Sequence, residues 1–378
     1  MSSPATAIDG ASPARDRAYM AAALALARRG LGLVAPNPAV GCLLVRDARV
    51  VGRGWTQPGG RPHAETEALK RAGAAAEGAT AYVTLEPCSH HGKTPPCAEA
   101  LIAAKIARCV VALEDPDDRV AGRGLARLHD AGIAVSQGVM EREAAELNAG
   151  YLLCQREGRP LVTLKFATSL DGKIATKSGD SRWISGEASR ARAHLIRARY
   201  DAILVGSGTA VTDNPRLDVR LPGMGNASPL RVVLDGRLRL PLTHDLVARA
   251  GEQPTWLFTR FGNQPARLKA YRDCGVEVIE VPAEHDSRLS ILASLKVLGE
   301  RGLTRVLVEG GGNLAAGLLQ CDLVDRLIWF RAALAIGGDG LPALAGFGLD
   351  KLAGAPKFER ECVEPVGEDL VECYRRRR

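Results

Sequence analysis

Aromatic side chains make up only 4% of this 378-residue chain. Alanine, leucine, valine and glycine are abundant instead, a bias that suits α/β layers with close helix–sheet packing. No stretch approaches the ~18 consecutive apolar residues that a bilayer-spanning helix requires, so no membrane association is expected. Residues Met1 to Pro13 are polar and lack the apolar centre of a secretory leader. The nine cysteines are odd in number and mostly isolated in apolar or helical contexts, which argues against a disulfide framework. Reduced thiols and a cytoplasmic location are the expectation. Internal repeats are missing too, and biased composition is confined to the two ends.

A single sign of charge does not dominate either half. The formal net charge of +7 divides into +1 over residues 1–157 and +6 over residues 158–378, and four of the latter are the terminal Arg375 to Arg378. A basic tail is a weaker pointer to nucleic acid than a basic folded face, so nucleic acid is not expected as substrate. At roughly 150 residues per domain the length predicts two domains. The polar Gln155 to Pro160 reads as a linker between a first domain over 13–154 and a second over 161–374, with a disordered leader over 1–12 and a basic tail over 375–378.

In the first domain, Ser12-Pro13 reads as an N-cap and first helical residue, with the helix continuing through Tyr19 to Arg29. A hairpin over Val40 to Val45 and Val50 to Trp55 follows, then helices and strands alternate to Ser136. That order predicts a three-layer α/β/α sandwich. The second domain reads as another α/β unit, with strands at Leu161 to Phe166, Ala202 to Val205, Arg231 to Leu234, Thr255 to Thr259, Val276 to Val281 and Arg305 to Glu309.

What the chain does contain is a metal constellation. His63-Ala64-Glu65 opens a predicted helix, Pro87-Cys88 follows a strand, and eight residues separate Cys88 from Cys97. One imidazole and two thiolates give three ligands for Zn2+ with a tetrahedral position left for water, whose pKa such an ion lowers toward ~7. Glu65, two residues from a ligand, is placed to shuttle protons without coordinating. The pattern is the His-x-Glu and Pro-Cys signature of nucleobase deaminases, with a longer interval between the cysteines. A closed structural zinc site is the alternative, and His90 and His91 are its candidates for a fourth ligand.

Asn37-Pro38-Ala39-Val40-Gly41, His63-Ala64-Glu65 and the run Pro87-Cys88-Ser89-His90-His91-Gly92-Lys93-Thr94-Pro95-Pro96-Cys97 closely resemble the bifunctional deaminase/reductase family of riboflavin biosynthesis. Leu164 to Lys173, Ser181-Arg182-Trp183-Ile184, Asp213-Asn214-Pro215 and Val308-Glu309-Gly310-Gly311 extend that resemblance over nearly everything from about residue 14 onward. It implies a cytidine-deaminase-like first domain and a dihydrofolate-reductase-like second one. The implied reactions are hydrolysis of the 2-amino group of a diaminopyrimidinone ribosylamine 5′-phosphate, then NADPH-dependent reduction of the ribosyl group to ribityl. The resemblance also implies a homodimer.

By resemblance, Asn37, His90 and Lys93 hold the substrate of the first reaction. Ala167, Thr209, Asp213 and the stretch Gly311, Gly312, Asn313, Leu314, Ala315, Ala316, Gly317 line the NADPH site. Ser181, Trp183, Arg197, Leu217, Arg220 and Glu309 match substrate positions of the reductase, with Lys165 near the ribose. Arg197 and Arg220 suit a phosphate because a guanidinium can bond its oxygens bidentately. One departure stands out: Asp117, in Asp115-Pro116-Asp117-Asp118-Arg119, replaces an amide that could donate a hydrogen bond.

The residues alone support the cofactor site less strongly. Gly310-x-Gly312-x-x-Ala315 satisfies a loose dinucleotide fingerprint. A Rossmann unit, however, expects an acidic residue about 20 positions on, and Leu327 to Leu334 offers only Arg331. Two other function classes remain at this stage: a nucleic-acid base deaminase with an unrelated second domain, and a non-enzymatic zinc module joined to a dinucleotide sensor. The first should carry a basic, aromatic-bearing groove in its first domain, and the second should tolerate loss of Glu65.

Overall fold

Ser12 opens the first helix as its sequence predicts, its hydroxyl accepting a bond from the Arg15 amide, with Pro13 at the first helical position. The computed structural model describes residues 12–91, 95–224, 227–284 and 288–377. The expected leader over 1–12 thus lies, except for Ser12, outside the described residues, as does Lys93. The chain forms two units, Met1–Glu157 and Gly158–Arg378.

The first unit runs α1 (Pro13–Ala27), β1 (Gly41–Arg46), β2 (Arg49–Trp55), α2 (Ala64–Ala72), β3 (Thr80–Val83), α3 (Cys97–Ala103), β4 (Arg108–Val111), α4 (Arg123–Asp130), β5 (Ala134–Gln137), α5 (Glu141–Leu147) and α6 (Ala149–Glu157). Asp47 and Ala48 both take positive φ, the geometry that lets a two-residue turn follow the twist of the β1–β2 hairpin. The sheet order is β2-β1-β3-β4-β5, antiparallel as far as β3 and parallel beyond. Ala64, Ala68, Leu101 and Leu128 cover one face from α2, α3 and α4; Met20, Leu24 and Leu147 cover the other from α1 and α5. This is the predicted three-layer sandwich.

The second unit contains β6 (Leu161–Thr168), β7 (Lys173–Ala175), α7 (Glu187–Arg197), β8 (Ala202–Gly206), α8 (Ser207–Asp213), β9 (Leu230–Leu234), α9 (Asp245–Ala248), β10 (Thr255–Arg260), α10 (Pro265–Asp273), β11 (Glu277–Val281), α11 (Ile291–Glu300), β12 (Arg305–Glu309), α12 (Gly312–Gln320), β13 (Arg326–Arg331), β14 (Leu341–Pro342), β15 (Phe358–Val366) and β16 (Asp369–Arg376). Nine strands form one sheet in the order β11-β10-β9-β8-β12-β6-β13-β16-β15. The pairs from β11 to β13 are parallel, and the β13–β16 and β15–β16 pairs are antiparallel. Leu295, Leu298, Ala315 and Leu318 cover one face; Leu246, Val247, Leu268 and Tyr271 cover the other. Both faces of the parallel region are therefore buried, which accounts for the near-continuous apolar strands.

Two boundary expectations need correction. Gln155, Arg156 and Glu157 belong to α6, so only Gly158 to Pro160 joins the last helix of one unit to β6. Arg159 there is buried and donates to both carboxylate oxygens of Asp325 at 2.8 and 3.0 Å, which makes this link a fixed part of the second unit. At the other end, Arg375 and Arg376 are ladder residues of β16, not tail. Arg376 Nε bonds Asp322 at 2.7 Å and Arg375 bonds Glu359 at 3.0 Å, so these two of the charges read as a tail neutralise neighbouring carboxylates. Among the described residues no helix is long and apolar enough to cross a membrane.

Candidate active sites

In the first unit, α2 lies directly on β2 because β2 carries glycine where the helix crosses it. A Cβ on Gly54 would sit 2.1 Å from the Ala64 carbonyl oxygen, and one on Gly52 2.4 Å from that of Ala68. This contact fixes the start of α2, where His63 is the N-cap residue and Glu65 lies in the first turn. Cys97 begins α3 and its amide donates to Cys88 Sγ at 3.3 Å, so the two thiols meet although eight residues separate them.

His63 Nδ1 lies 3.6 Å from Cys88 Sγ and 3.4 Å from Cys97 Sγ, and the three donor atoms fall within 4.8 Å of one another. A tetrahedral zinc ion with Zn–S of about 2.3 Å and Zn–N of about 2.0–2.1 Å requires N···S separations near 3.5 Å. The donor set fits that ion in both chemistry and spacing. Of the two candidates for a closed site, His91 Nε2 pairs with Glu99 at 3.2 Å. His90 lines the adjoining cavity, its buried Nδ1 without a hydrogen-bond partner. Among the described residues, the only group of three or more possible metal ligands is His63, Cys88 and Cys97.

Glu65 is 3% exposed and touches Cys97 without joining that group. Burial, reinforced by the charge of Cys88, lifts its carboxyl to about 7. A bond from Cys97, and then one from His63, pulls the Cys88 thiol down to about 4 against its burial. A carboxyl group poised near neutrality beside a metal site is suited to accepting and returning protons.

The cavity of about 290 Å³ in front of Glu65 is walled by Asn37, Arg61, His90, Asp115, Asp117, Arg119 and Tyr151, among others. Asn37 is pressed against Gly60, whose φ is +82°; a Cβ there would come within 1.9 Å of Asn37 Nδ2. The expected positions Asn37, His63, Glu65, Cys88 and His90 thus line one space. The carboxylate at Asp117 does not stand alone. Arg119 Nε donates to both of its oxygens at 2.9 and 3.1 Å and Arg119 Nη2 to Oδ2 at 2.5 Å, holding the carboxyl below its usual range.

Sequence reasoning missed Tyr151, whose hydroxyl donates to Asp115 at 2.9 Å, because α6 was not read as a helix. It also missed Glu86, which accepts from the amides of Asp115, Gly122, Gly124 and Leu125 at 2.8–3.3 Å and so ties the cavity wall to α4. The Glu-Pro-Cys sequence placed Glu86 at the strand end but gave no sign of these partners.

In the second unit, adjacent strands β6 and β12 bring Lys165 and Glu309 together, 3.8 Å between Nζ and Oε2. Arg197, the last residue of α7, donates from Nε and Nη2 to Glu309 at 2.7 and 2.9 Å and from Nη1 to the Asp218 carbonyl at 2.9 Å. Against its burial, Arg197 and then Lys165 hold the Glu309 carboxyl down at about 2; burial lowers the pKa of Lys165. Arg220 joins through Asp218, whose carboxylate it bonds. Trp183 is exposed, with the Arg190 guanidinium of α7 4.8 Å from its ring centre, and Ser181 is exposed nearby in the chain. Leu217 differs from expectation: its side chain is 3% exposed within the core, which leaves only its backbone for a ligand.

The strand-to-helix turn after β12 approaches Thr209 of α8 closely. Gly310 has φ +86°, and a Cβ there would meet Thr209 Cγ2 at 2.7 Å. A cavity of about 460 Å³ opens at this turn, lined by Thr209, Gly311, Asn313, Leu314 and Gly317. A glycine-lined helix start of this kind suits a pyrophosphate and fits a dinucleotide. Ala315 and Ala316 do not face it: both are buried, Ala315 in the hydrophobic core, because one helix can present only one face to the cavity. A Cβ on Gly312 would come within 3.0–3.2 Å of backbone atoms of Pro342, Ala343 and Ala345, so only glycine fits there without a shift. Ala167 on β6 and Asp213, which ends α8, are not among the residues lining this cavity.

Comparison with known proteins places both units. Residues 13–113 match the cytidine and deoxycytidylate deaminase zinc-binding region, and residues 160–371 match the RibD C-terminal domain. The riboflavin biosynthesis protein RibD of Escherichia coli (strain K12) is 43% identical over 367 residues, covering 94% of this chain and 98% of the relative. The protein of the same name from Aquifex aeolicus is 39% identical, covering 96% and 98%. Among solved structures, Acinetobacter baumannii RibD superposes with a TM-score of 0.87 at 36% identity, covering 97% of this chain and all of the other. A diaminohydroxyphosphoribosylaminopyrimidine deaminase/5-amino-6-(5-phosphoribosylamino)uracil reductase from Thermotoga maritima gives 0.84 at 34%, covering 96% and 99%.

Proposed function

Because the chain belongs to the RibD family, the deaminase/reductases of riboflavin biosynthesis, we propose that its two units carry out two consecutive steps on one pyrimidine nucleotide. The first unit hydrolyses the 2-amino group of 2,5-diamino-6-ribosylamino-4(3H)-pyrimidinone 5′-phosphate, and the second reduces the ribosyl group of the product to ribityl with NADPH. The observation that carries the reading is the His63, Cys88 and Cys97 donor set with buried Glu65 beside it, facing a cavity of nucleotide-base size.

His63, Cys88 and Cys97 would hold zinc, which supplies the acidification of an attacking water. Glu65 accepts that water's proton and passes it to a ring nitrogen as oxygen bonds to the ring carbon, then takes the new hydroxyl's proton and delivers it to the amino group, which leaves as ammonia as the carbonyl forms. Asn37 and His90 orient the base from the cavity wall. The exchange balances: one water is consumed, one C–N bond breaks, and a carbonyl replaces the amine.

In the second unit, Thr209, Gly311, Asn313, Leu314 and Gly317 would hold NADPH, which supplies the hydride. Lys165, Arg197 and Glu309 position the opened ribosylamine against it, and the role of this chain is mainly geometric. The same reading carries a cytoplasmic location and a homodimer, the latter measurable by sedimentation.

A coupled assay on the full-length protein tests the reading, with zinc content measured on the same sample. Glu65→Gln should cut ammonia release by at least about 10²-fold while metal content and NADPH oxidation on the deaminated nucleotide stay unchanged. Unchanged ammonia release would reject the proton-shuttle role, and no NADPH consumption with the deaminated nucleotide would reject the reductase assignment.

A further inference from the structure

The cavity at the Gly310–Gly312 turn continues past the residues already described to three arginines. Arg237, Arg239 and Arg288 line it, and among the described lining residues Glu284 is the one carboxylate. The sheet order fixes where these cations stand relative to the reaction centre. Glu309 ends β12 and pairs in register with Lys165 on neighbouring β6, whereas Arg237 and Arg239 follow β9, which lies beyond β8 on the opposite side of β12. Two strand spacings, roughly 10 Å, separate β12 from β9. Between them lies the glycine-rich start of α12. A dinucleotide crossing the carboxyl ends of these strands with its reactive ring at Glu309 and its pyrophosphate at α12 carries its adenosine toward β9.

The loop after β9 is built to present its arginines together. Leu238 and Leu240 are buried, whereas Arg237 and Arg239 are exposed and both line the cavity. Asp235, fully buried, accepts from the Leu240 amide at 2.8 Å through its side chain and from the Leu238 amide at 3.2 Å through its carbonyl. Arg239 Nη2 donates to Ser207 Oγ at 2.6 Å, which holds it at the cavity wall. Sites that take an unphosphorylated ribose bond its 2′-hydroxyl with a carboxylate. Here Glu284 is outnumbered among the described lining residues, and its amide donates to the Arg288 carbonyl at 2.7 Å, which brings Arg288 beside it.

We propose that Arg237, Arg239 and Arg288 recognise the 2′-phosphate of NADPH and set the preference of the second unit for NADPH over NADH. The inference rests on the proposed NADPH-binding role and adds the residues that discriminate. Guanidinium groups match a phosphate's oxygens in geometry and stay charged at any working pH.

The test is calorimetry on the full-length protein with adenosine 2′,5′-bisphosphate and adenosine 5′-monophosphate, probes that carry no nicotinamide, alongside NADPH and NADH binding followed by fluorescence. Wild type should bind the bisphosphate about ten- to hundredfold tighter than the monophosphate. The double variant Arg237→Gln/Arg288→Gln should lose most of that preference while its monophosphate affinity and melting temperature hold. A preference retained in both the double variant and Arg239→Gln overturns the cluster. Should the double variant fail to fold, Arg237→Gln alone and a salt series on wild type decide. Raising ionic strength toward about 0.5 M should weaken the bisphosphate selectively, and equal weakening of both probes counts against the proposal. Wild type that binds NADPH and NADH equally sinks this inference alone; wild type that binds neither sinks the reading beneath it as well.

Discussion

Asp117 illustrates what side-chain identity conveys and what it omits. Its sequence context says that a carboxylate occupies a position suited to a donor, and the structure adds that Arg119 already grips both of its oxygens. The pocket therefore meets a neutralised pair, so Asp117→Asn should change deamination by less than about tenfold, whereas Arg119→Ala, which exposes the bare carboxylate, should cost more. Steady-state ammonia release from both variants checks this, and a large gain in Asp117→Asn would show instead that the carboxylate impairs the site. The meeting of His63, Cys88 and Cys97 beside Glu65 was legible residue by residue because it is written in residue type and order. Leu217, Ala315 and Ala316 were not, since the face a side chain presents is decided by packing that no local pattern records.

Among the elements, those with clear caps or uniform apolar runs were readable: α1 from Ser12-Pro13, β8 from Ala202 to Val205, β12 from Arg305 to Glu309. α6 was hidden because its last turn, Gln155 to Glu157, is polar and stands next to Gly158. β15 and β16 were hidden because six of the nine β15 residues are exposed, and the β16 arginines imitate a tail. The contact between α2 and β2 offers a test at this level. Gly54→Ala forces a methyl group into the Ala64 carbonyl and must shift the start of α2, carrying His63 and Glu65 with it. Zinc affinity and deaminase rate should both fall, by about 10–100-fold, while the reductase rate holds. Full retention of zinc and deamination would show that α2 is not held by this contact.

For the molecule as a whole, two α/β units were legible from length and element order, and the comparisons agree with that reading at both ends of the chain. Acid stability of the second unit follows from its buried ion cluster. The Glu309 carboxyl is depressed from 4.5 to about 2 in the folded state, so its contribution is complete above pH 4.5 and is lost as pH falls through about 2. Unfolding of the second unit followed between those limits should show this slope. Glu309→Gln should flatten it while destabilising the unit by about 3–5 kcal/mol at neutral pH, because Arg197 and Lys165 lose their counter-charge. An unchanged acid slope in the variant would place the loss elsewhere.

The position of β6 has a consequence for biosynthesis. Its ladder partners are β12 and β13, so Leu161–Thr168 leaves the ribosome about 140 residues ahead of the first strand that can flank it. Through that interval a segment that is largely buried in the finished fold waits without neighbours, and the growing polypeptide must be sheltered or collapse loosely around it until the distal third of the unit has been translated. Premature stop codons anywhere before β12 therefore leave the middle of the large sheet unbuilt, however much of the unit precedes them.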